Sequence, residues 1–202
     1  MRHPTRSVLA IPGSLRRGSF NRRLLEAAAA SAPAGMTVAI YDALARLPPF
    51  DEDLERESGG GPEPVHRLRG LVAAADGLLI ATPEYNQSFP GVLKNAIDWL
   101  SRPAPDEVLA RKPVAVIGAT PGRWGTRLAQ AALRQVLHAT EAVVLPAPTL
   151  FVRDAALLFD ASGRLTDEPT REALRELLAA FERWIDAVAP GPRVRATLEE
   201  TS

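Results

Sequence analysis

Short, almost wholly apolar runs alternate along the chain with longer segments in which apolar residues recur every three or four positions. Residues 8–11 form an apolar run closed by Pro12 and Gly13 and read as a buried strand. Residues 22–32 are rich in leucine and alanine, which favour helix. The pattern then repeats: 36–41 alternate as a strand, 64–75 read as a helix, and 77–81 form a second fully apolar strand. A helix over 91–101, a strand over 114–119, a helix over 126–140 and a short strand over 142–145, ended by Pro146, follow. Leu174, Leu177, Leu178, Phe181, Ile185 and Val188 mark out a last amphipathic helix. Thr166 is its expected N-cap, with Asp167 and Glu168 in a first turn where the helix dipole favours acids. Alternating β and α segments with continuous apolar strands predict an α/β fold: a parallel sheet covered on both faces, in three layers. The doubly wound arrangement expected for it has five parallel strands in the order 2-1-3-4-5.

Two stretches stand outside this rhythm. Residues 42–61 form a long connection that turns acidic and then rich in glycine and proline, which predicts a lid or a mobile loop. Residues 190–202 have little to bury and are expected to fray, leaving 1–189 as a single domain. A length of 202 residues, 46% of them hydrophobic, suits one sizeable core. Twenty-four basic side chains balance twenty-four acidic ones, so no global field attracts nucleic acid or an anionic membrane. The longest apolar stretch, 71–81, contains Asp76 and is far shorter than the roughly 20 residues of a membrane span. The apolar run near the N-terminus is too short for a secretory signal, so export is not expected. The absence of cysteine removes disulfide and thiolate chemistry and fits a cytoplasmic protein.

In a doubly wound sheet of this order, ligands sit outside the carboxyl ends of strands 1, 3 and 4. The segments leaving those strands are GSLRRGSFN (13–21), TPEYNQSFPG (82–91) and ATPGRWGT (119–126). All three are rich in glycine, hydroxyls or amides. The first runs from a strand into a helix, so its backbone N–H groups and the positive helix end favour a phosphate. Ser14, Ser19 and Asn21 add neutral donors and Arg16 adds charge; the alternative is an ordinary turn with Ser19 capping the helix. The glycine spacing imitates a nucleotide-triphosphate loop, yet Ser19 and Phe20 stand where its lysine and its metal-binding hydroxyl belong, which disfavours that chemistry. In the second loop Pro83 and Pro90 stiffen hydrogen-bonding residues that can meet the edge of a planar heterocycle. Tyr85 offers an aromatic face there and Asn86 an amide, while core aromatics and a solvated Glu84 are the plainer reading. In the third, Gly122 and Gly125 permit close backbone approach, Thr120 is a donor and Trp124 a lid, unless Trp124 is simply buried.

GSLRRGSFN together with PEYNQSFPGVLKNAIDWLSR resembles the NAD(P)H-dependent FMN reductase family, which includes quinone and chromate reductases and has a flavodoxin-like fold. The likeness runs to about residue 189. It implies that the first loop holds the FMN phosphate through Ser14, Arg16, Ser19 and Asn21, with the backbone of Leu15, Arg16, Arg17, Gly18, Ser19 and Phe20 contributing. It implies that Pro83, Glu84, Tyr85 and Asn86 lie against the isoalloxazine, and that Thr120, Gly122 and Gly125 lie beside it. Thr126 follows Gly125 where relatives often carry a second glycine, and Pro121, Arg123 and Trp124 make this loop bulkier.

Other residues carry less. His3, His66 and His138 have no metal-ligand spacing, so no metal site is expected. Asp51, Glu52, Asp53, Glu55 and Glu57 read as a solvated run. Ser14 does not sit in the strand-to-helix elbow of a hydrolase. Val92, Leu93, Ala96, Ile97 and Leu100, widened by Trp99, form an apolar stripe broad enough for a sheet and a second subunit. The expectation is an FMN-dependent enzyme that passes reducing equivalents from NADPH or NADH to a small acceptor: a quinone, free flavin or metal oxyanion. The flavin N5 carries the chemistry and no side chain is a nucleophile. Arg123 and Trp124 border the open face, and the protein is a homodimer or tetramer. The rival readings are a flavodoxin-type FMN electron carrier without a nicotinamide site and a flavin-binding interaction module.

Overall fold

The computed structural model describes residues 5–102 and 107–188. Six strands form one parallel sheet: β1 (Arg6–Pro12), β2 (Met36–Ile40), β3 (Gly77–Ala81), β4 (Pro113–Ala119), β5 (Val143–Val144) and β6 (Leu150–Val152). Their order is β2-β1-β3-β4-β5, as expected, with β6 also paired to β4. The fifth lane is thus filled in two pieces. β5 lies along Pro113 and Val114, whereas β6 lies along Ile117 to Ala119. Pro146 and Pro148, which lack the N–H a ladder needs, fall between the pieces. β6 is three residues long, too short for a periodic signal, and the sequence did not announce it.

The helices are α1 (Phe20–Ala30), α2 (Glu52–Glu57), α3 (Glu63–Ala74), α4 (Gly91–Leu100), α5 (Arg127–Ala139) and α6 (Glu168–Val188). Side chains along a strand point alternately to its two faces, and here both faces are apolar. Val8, Ala10, Leu79, Ala81, Ala115 and Ile117 join the core under α1 and α6. Leu9, Ile11, Leu78, Ile80, Val114 and Val116 join the one under α3, α4 and α5. At α6 the cap is Asp167 rather than Thr166: the Asp167 carboxylate accepts the Thr170 N–H at 2.9 Å, while the Thr166 hydroxyl donates to the Leu158 carbonyl. The fraying segment expected from residue 190, the boundary at 189 and His3 lie outside the described residues.

The connection over 42–61 is not a loose lid. Asn95 on α4 accepts the Phe50 N–H at 2.7 Å and donates to the Pro48 carbonyl at 2.8 Å, and the Trp99 indole donates to the same carbonyl at 2.9 Å. Phe50 packs edge-on against Trp99, with ring centres 5.0 Å apart. Asp51 caps α2, and Glu55, buried rather than solvated, pairs with Arg102 at 2.9 Å. The acidic composition therefore reflects a cap and a buried ion pair as well as solvent-facing charge. The strap also covers Trp99, and Leu93, Ala96, Ile97 and Leu100 are buried within the same chain. Much of the stripe that suggested a second subunit is satisfied at home.

Tyr41, at the end of β2, is buried in the second core, and its hydroxyl finds no hydrogen-bond partner among the described residues. Burial pushes its pKa above the ordinary 10.0. The folded protein therefore keeps the phenol proton at a pH where the unfolded chain releases it. The stability tied to that proton is full below pH 10 and is lost as pH rises toward the folded-state value. Tyr41→Phe is expected to stabilise the protein by about 1 kcal/mol at pH 7, because an unmatched buried hydroxyl is unfavourable. Urea titrations at pH 7 and pH 10.5 check both points, the advantage of the variant growing at the higher pH.

Candidate active site

Three loops leave the carboxyl ends of β1, β3 and β4, and side chains stitch them together. The first begins at Gly13, whose N–H donates to the Ala81 carbonyl at 2.8 Å and ties it to β3. A turn closes from the Ser19 N–H to the Arg16 carbonyl, and the Ser14 hydroxyl accepts the Arg16 N–H at 3.3 Å. Ser19 has extended backbone angles and accepts the Arg22 N–H, making it the N-cap of α1 and moving the helix start to Phe20. The N–H groups of Leu15, Arg17 and Gly18 donate to nothing among the described residues, and all three residues are exposed. Beside the start of α1, such N–H groups form an anion-binding concavity. The Arg16 guanidinium lies 5.5 Å from the Phe20 ring centre.

Asn21 departs from its expected role. Its side-chain amide donates to the Ala119 carbonyl at 2.9 Å and accepts the Ala119 N–H at 2.8 Å. Buried and engaged through both its amide nitrogen and its amide oxygen, it fastens α1 to the end of β4.

In the second loop Thr82 is fully buried; its N–H extends the ladder to Ile117 and its hydroxyl donates to the Pro83 carbonyl. Tyr85 and Ser88 exchange both backbone hydrogen bonds around Asn86 and Gln87, which have φ of 50° and 64°. This is a two-residue hairpin turn with both central residues left-handed, a geometry asparagine tolerates better than glutamine. It leaves Tyr85 half exposed. Glu84 turns the other way: its carboxylate accepts the N–H groups of Leu128 and Ala129 at 2.9 and 3.0 Å. These are the second and third residues of α5, so a residue of the second loop acts as the helix cap. Thr126, in the local cap position, makes no cap bond and instead accepts from the Gln130 amide. Glu84 is therefore not the solvated acid of the plainer reading, since its carboxylate is engaged at the start of α5.

The third loop is held by the segment after β6. Thr120 donates to the Val152 carbonyl and accepts from the Ala155 N–H, both at 3.0 Å, and its hydroxyl accepts the Gly122 N–H. Gly125 adopts a φ of 72° against Phe151. Gly118, just before the loop, has no room for a side chain, because a Cβ would collide with the Thr126 hydroxyl and the Thr82 carbonyl. Sequence reasoning passed over Gly118, although a lone glycine inside an apolar strand is a sign of close approach. Trp124 is 71% exposed rather than buried, with the Arg123 guanidinium 4.8 Å over its ring. Arg16, Arg17 and Arg123 form no salt bridge among the described residues.

Residues 6–156 match the model of the NADPH-dependent FMN reductase family. The chain belongs to this family. It is 44% identical over 178 residues to an NAD(P)H-dependent FMN reductase of Pseudomonas aeruginosa, covering 88% of this chain and 94% of that one. A 2-hydroxy-1,4-benzoquinone reductase of a Burkholderia species is 38% identical over 178 residues, covering 88% and 95%. Among solved structures, a flavoenzyme NAD(P)H:(acceptor) oxidoreductase of Paracoccus denitrificans superimposes with a TM-score of 0.83 at 36% identity, covering 91% of this chain and 98% of that one. Membership makes the protein an oxidoreductase that works with FMN and NAD(P)H. The residues present fit FMN: unengaged N–H groups on the first loop suit its phosphate, and the exposed Tyr85 and Trp124 offer faces for a ring.

Since Glu84 joins the second loop to α5, its loss acts on both. Glu84→Ala is expected to lower stability by about 1 kcal/mol, the usual effect of removing a helix cap. Glu84→Gln keeps an acceptor but gives up the charge at the helix end, and should lose roughly half as much. Thermal melts of the flavin-free protein rank the two.

Proposed function

We propose that FMN sits in the crevice between the three loops and that one open face of the site serves NAD(P)H and the acceptor in turn. The observation that carries this reading is the convergence of the loops on one crevice, held by the Gly13, Asn21 and Glu84 bonds, with the first loop's N–H groups left unengaged. FMN supplies the two-electron redox chemistry. The chain's own residues do the rest. Leu15, Arg17 and Gly18 present main-chain donors to the phosphate, with Ser14 and Arg16 beside them. The turn at Asn86 and Gln87 sets Tyr85 at one border, and the third loop places Trp124 at the other. No side chain is required as a nucleophile. Arg123, without a carboxylate partner among the described residues and lying over the Trp124 ring, is placed to attract the 2′-phosphate of NADPH.

A quinone is the proposed acceptor class, supported by the name and 38% identity of the Burkholderia relative. A homodimer belongs to the same reading: Leu15, Tyr85, Trp124 and Leu128, each at least 50% exposed, are apolar side chains left uncovered on the three loops and the start of α5. A cytoplasmic setting is proposed from the absence of cysteine.

Initial rates with NADPH and a quinone are expected to give parallel lines; intersecting lines would show donor and acceptor bound together and end the single-face reading. FMN should bind the flavin-free protein far more tightly than riboflavin, and equal affinities in a fluorescence titration would remove the phosphate assignment. Arg123→Ala should raise the KM for NADPH over that for NADH by roughly 5- to 30-fold, the equivalent of losing a charge-assisted contact.

A further inference from the structure

Away from the crevice, a cavity lies at the open edge of the sheet. β5 ends the strand order and pairs with Pro113 and Val114, the start of β4, so this edge stands at the opposite end of β4 from the three loops. The cavity has a volume of about 580 Å³ and runs from Arg134 on α5 past Val144 and Pro146 to Trp184 on α6. That size lies in the range of small-molecule sites, roughly 300–1,000 Å³. Arg134 is the group in it that the fold leaves incomplete. Its Nη1 donates to the Leu145 carbonyl at 2.7 Å. The other four N–H groups of the guanidinium donate to nothing among the described residues, and it forms no salt bridge among them. Arg134 is half-buried; burial pushes its pKa down, and no acid raises it again.

A guanidinium drawn half out of water without an acid is unfavourable until something supplies the anion, and holding one carbonyl occupies one of its five donors. Glu141 also lines the cavity, yet it is exposed and forms no salt bridge with Arg134 or with His138, the other titratable group of the lining. The remaining lining is apolar. The Trp184 indole N–H is taken up by the Val143 carbonyl at 2.9 Å, which fixes the ring and leaves its carbon surface to the cavity. Val144 and Pro146 add aliphatic surface. We propose that this cavity is a binding site for a small aromatic carboxylate, its anion paired with Arg134 and its ring laid against Trp184 and Pro146. A carboxylate meets the guanidinium fork through two parallel hydrogen bonds. One guanidinium balances one negative charge and Glu141 disfavours a second, so a monoanion suits the cavity better than a phosphate. The site is independent of the flavin reading, since it shares no residue with the three loops.

Calorimetric titration of the FMN-loaded protein with 2-naphthoate tests the site. Saturable binding is expected, and the neutral 2-naphthamide should bind about tenfold more weakly, the usual effect of losing charge-assisted hydrogen bonds. Arg134→Gln should weaken 2-naphthoate by about the same factor. Pro146→Glu, at an exposed position where folding is not at risk, should do so too by placing a competing carboxylate on the apolar wall, and it carries the test if Arg134→Gln does not fold. Arg123→Ala, at the crevice, is expected to leave the affinity unchanged. If Arg123→Ala instead abolishes binding while Arg134→Gln and Pro146→Glu retain it, the ligand occupies the crevice and the edge site is overturned. Equal binding of the acid and the amide, or no binding up to about 10 mM 2-naphthoate, overturns it as well.

Discussion

With helices packed on both sides, β1, β3 and β4 have no face left for water. Nearly every side chain they carry is buried, and neighbouring positions feed opposite cores. Polar chemistry is therefore confined to the strand ends, where backbone groups run out of ladder partners. The carboxyl ends of the three strands lie side by side in the order β1-β3-β4. Loops leaving adjacent buried strands have nowhere to go but past one another, and the candidate site is the place where they meet.

Meeting is not enough to hold a ligand, and three contacts turn proximity into geometry. The Gly13 N–H joins loop one to β3, the Asn21 amide joins α1 to β4, and the Glu84 carboxylate joins loop two to α5. Each contact also satisfies backbone groups that would otherwise be orphaned at a strand end or helix start. Asn21 and Glu84 thereby position the site from outside the space a ligand would fill. What remains for a ligand is main-chain N–H on the first loop and aromatic surface on the other two.

The charge distribution sharpens the contrast between scaffold and site. On α6, Arg171 and Arg175 pair with Glu168 and Glu172, exposed contacts worth little to stability but enough to neutralise the surface. Arg16, Arg17 and Arg123, at the carboxyl end of the sheet, form no salt bridge among the described residues. In a chain whose formal charge is zero, this arrangement concentrates unpaired positive charge beside the crevice and favours phosphate-bearing ligands.

The strands and long helices were legible because burial on two faces forces continuous apolar runs, and burial on one face forces a three-to-four spacing; both patterns are local. The loops were legible too, since glycine, proline and hydroxyls between such runs mark where the chain turns and donates. Composition read the strap over 42–61 as loose, yet Asn95, Trp99 and Arg102 hold it from α4 and the turn after it. The side-chain targets of Asn21 and Glu84 were equally hidden, because their partners stand 98 and 44 residues further along the chain. β6 escaped notice for a related reason: three residues become a strand only because β4 offers an open edge there. Residue type and spacing determined which segments would be dry and which would carry polar groups. Which polar group meets which was decided only when the sheet brought distant strand ends together, because a hydrogen bond depends on separation in space and leaves no period in the sequence.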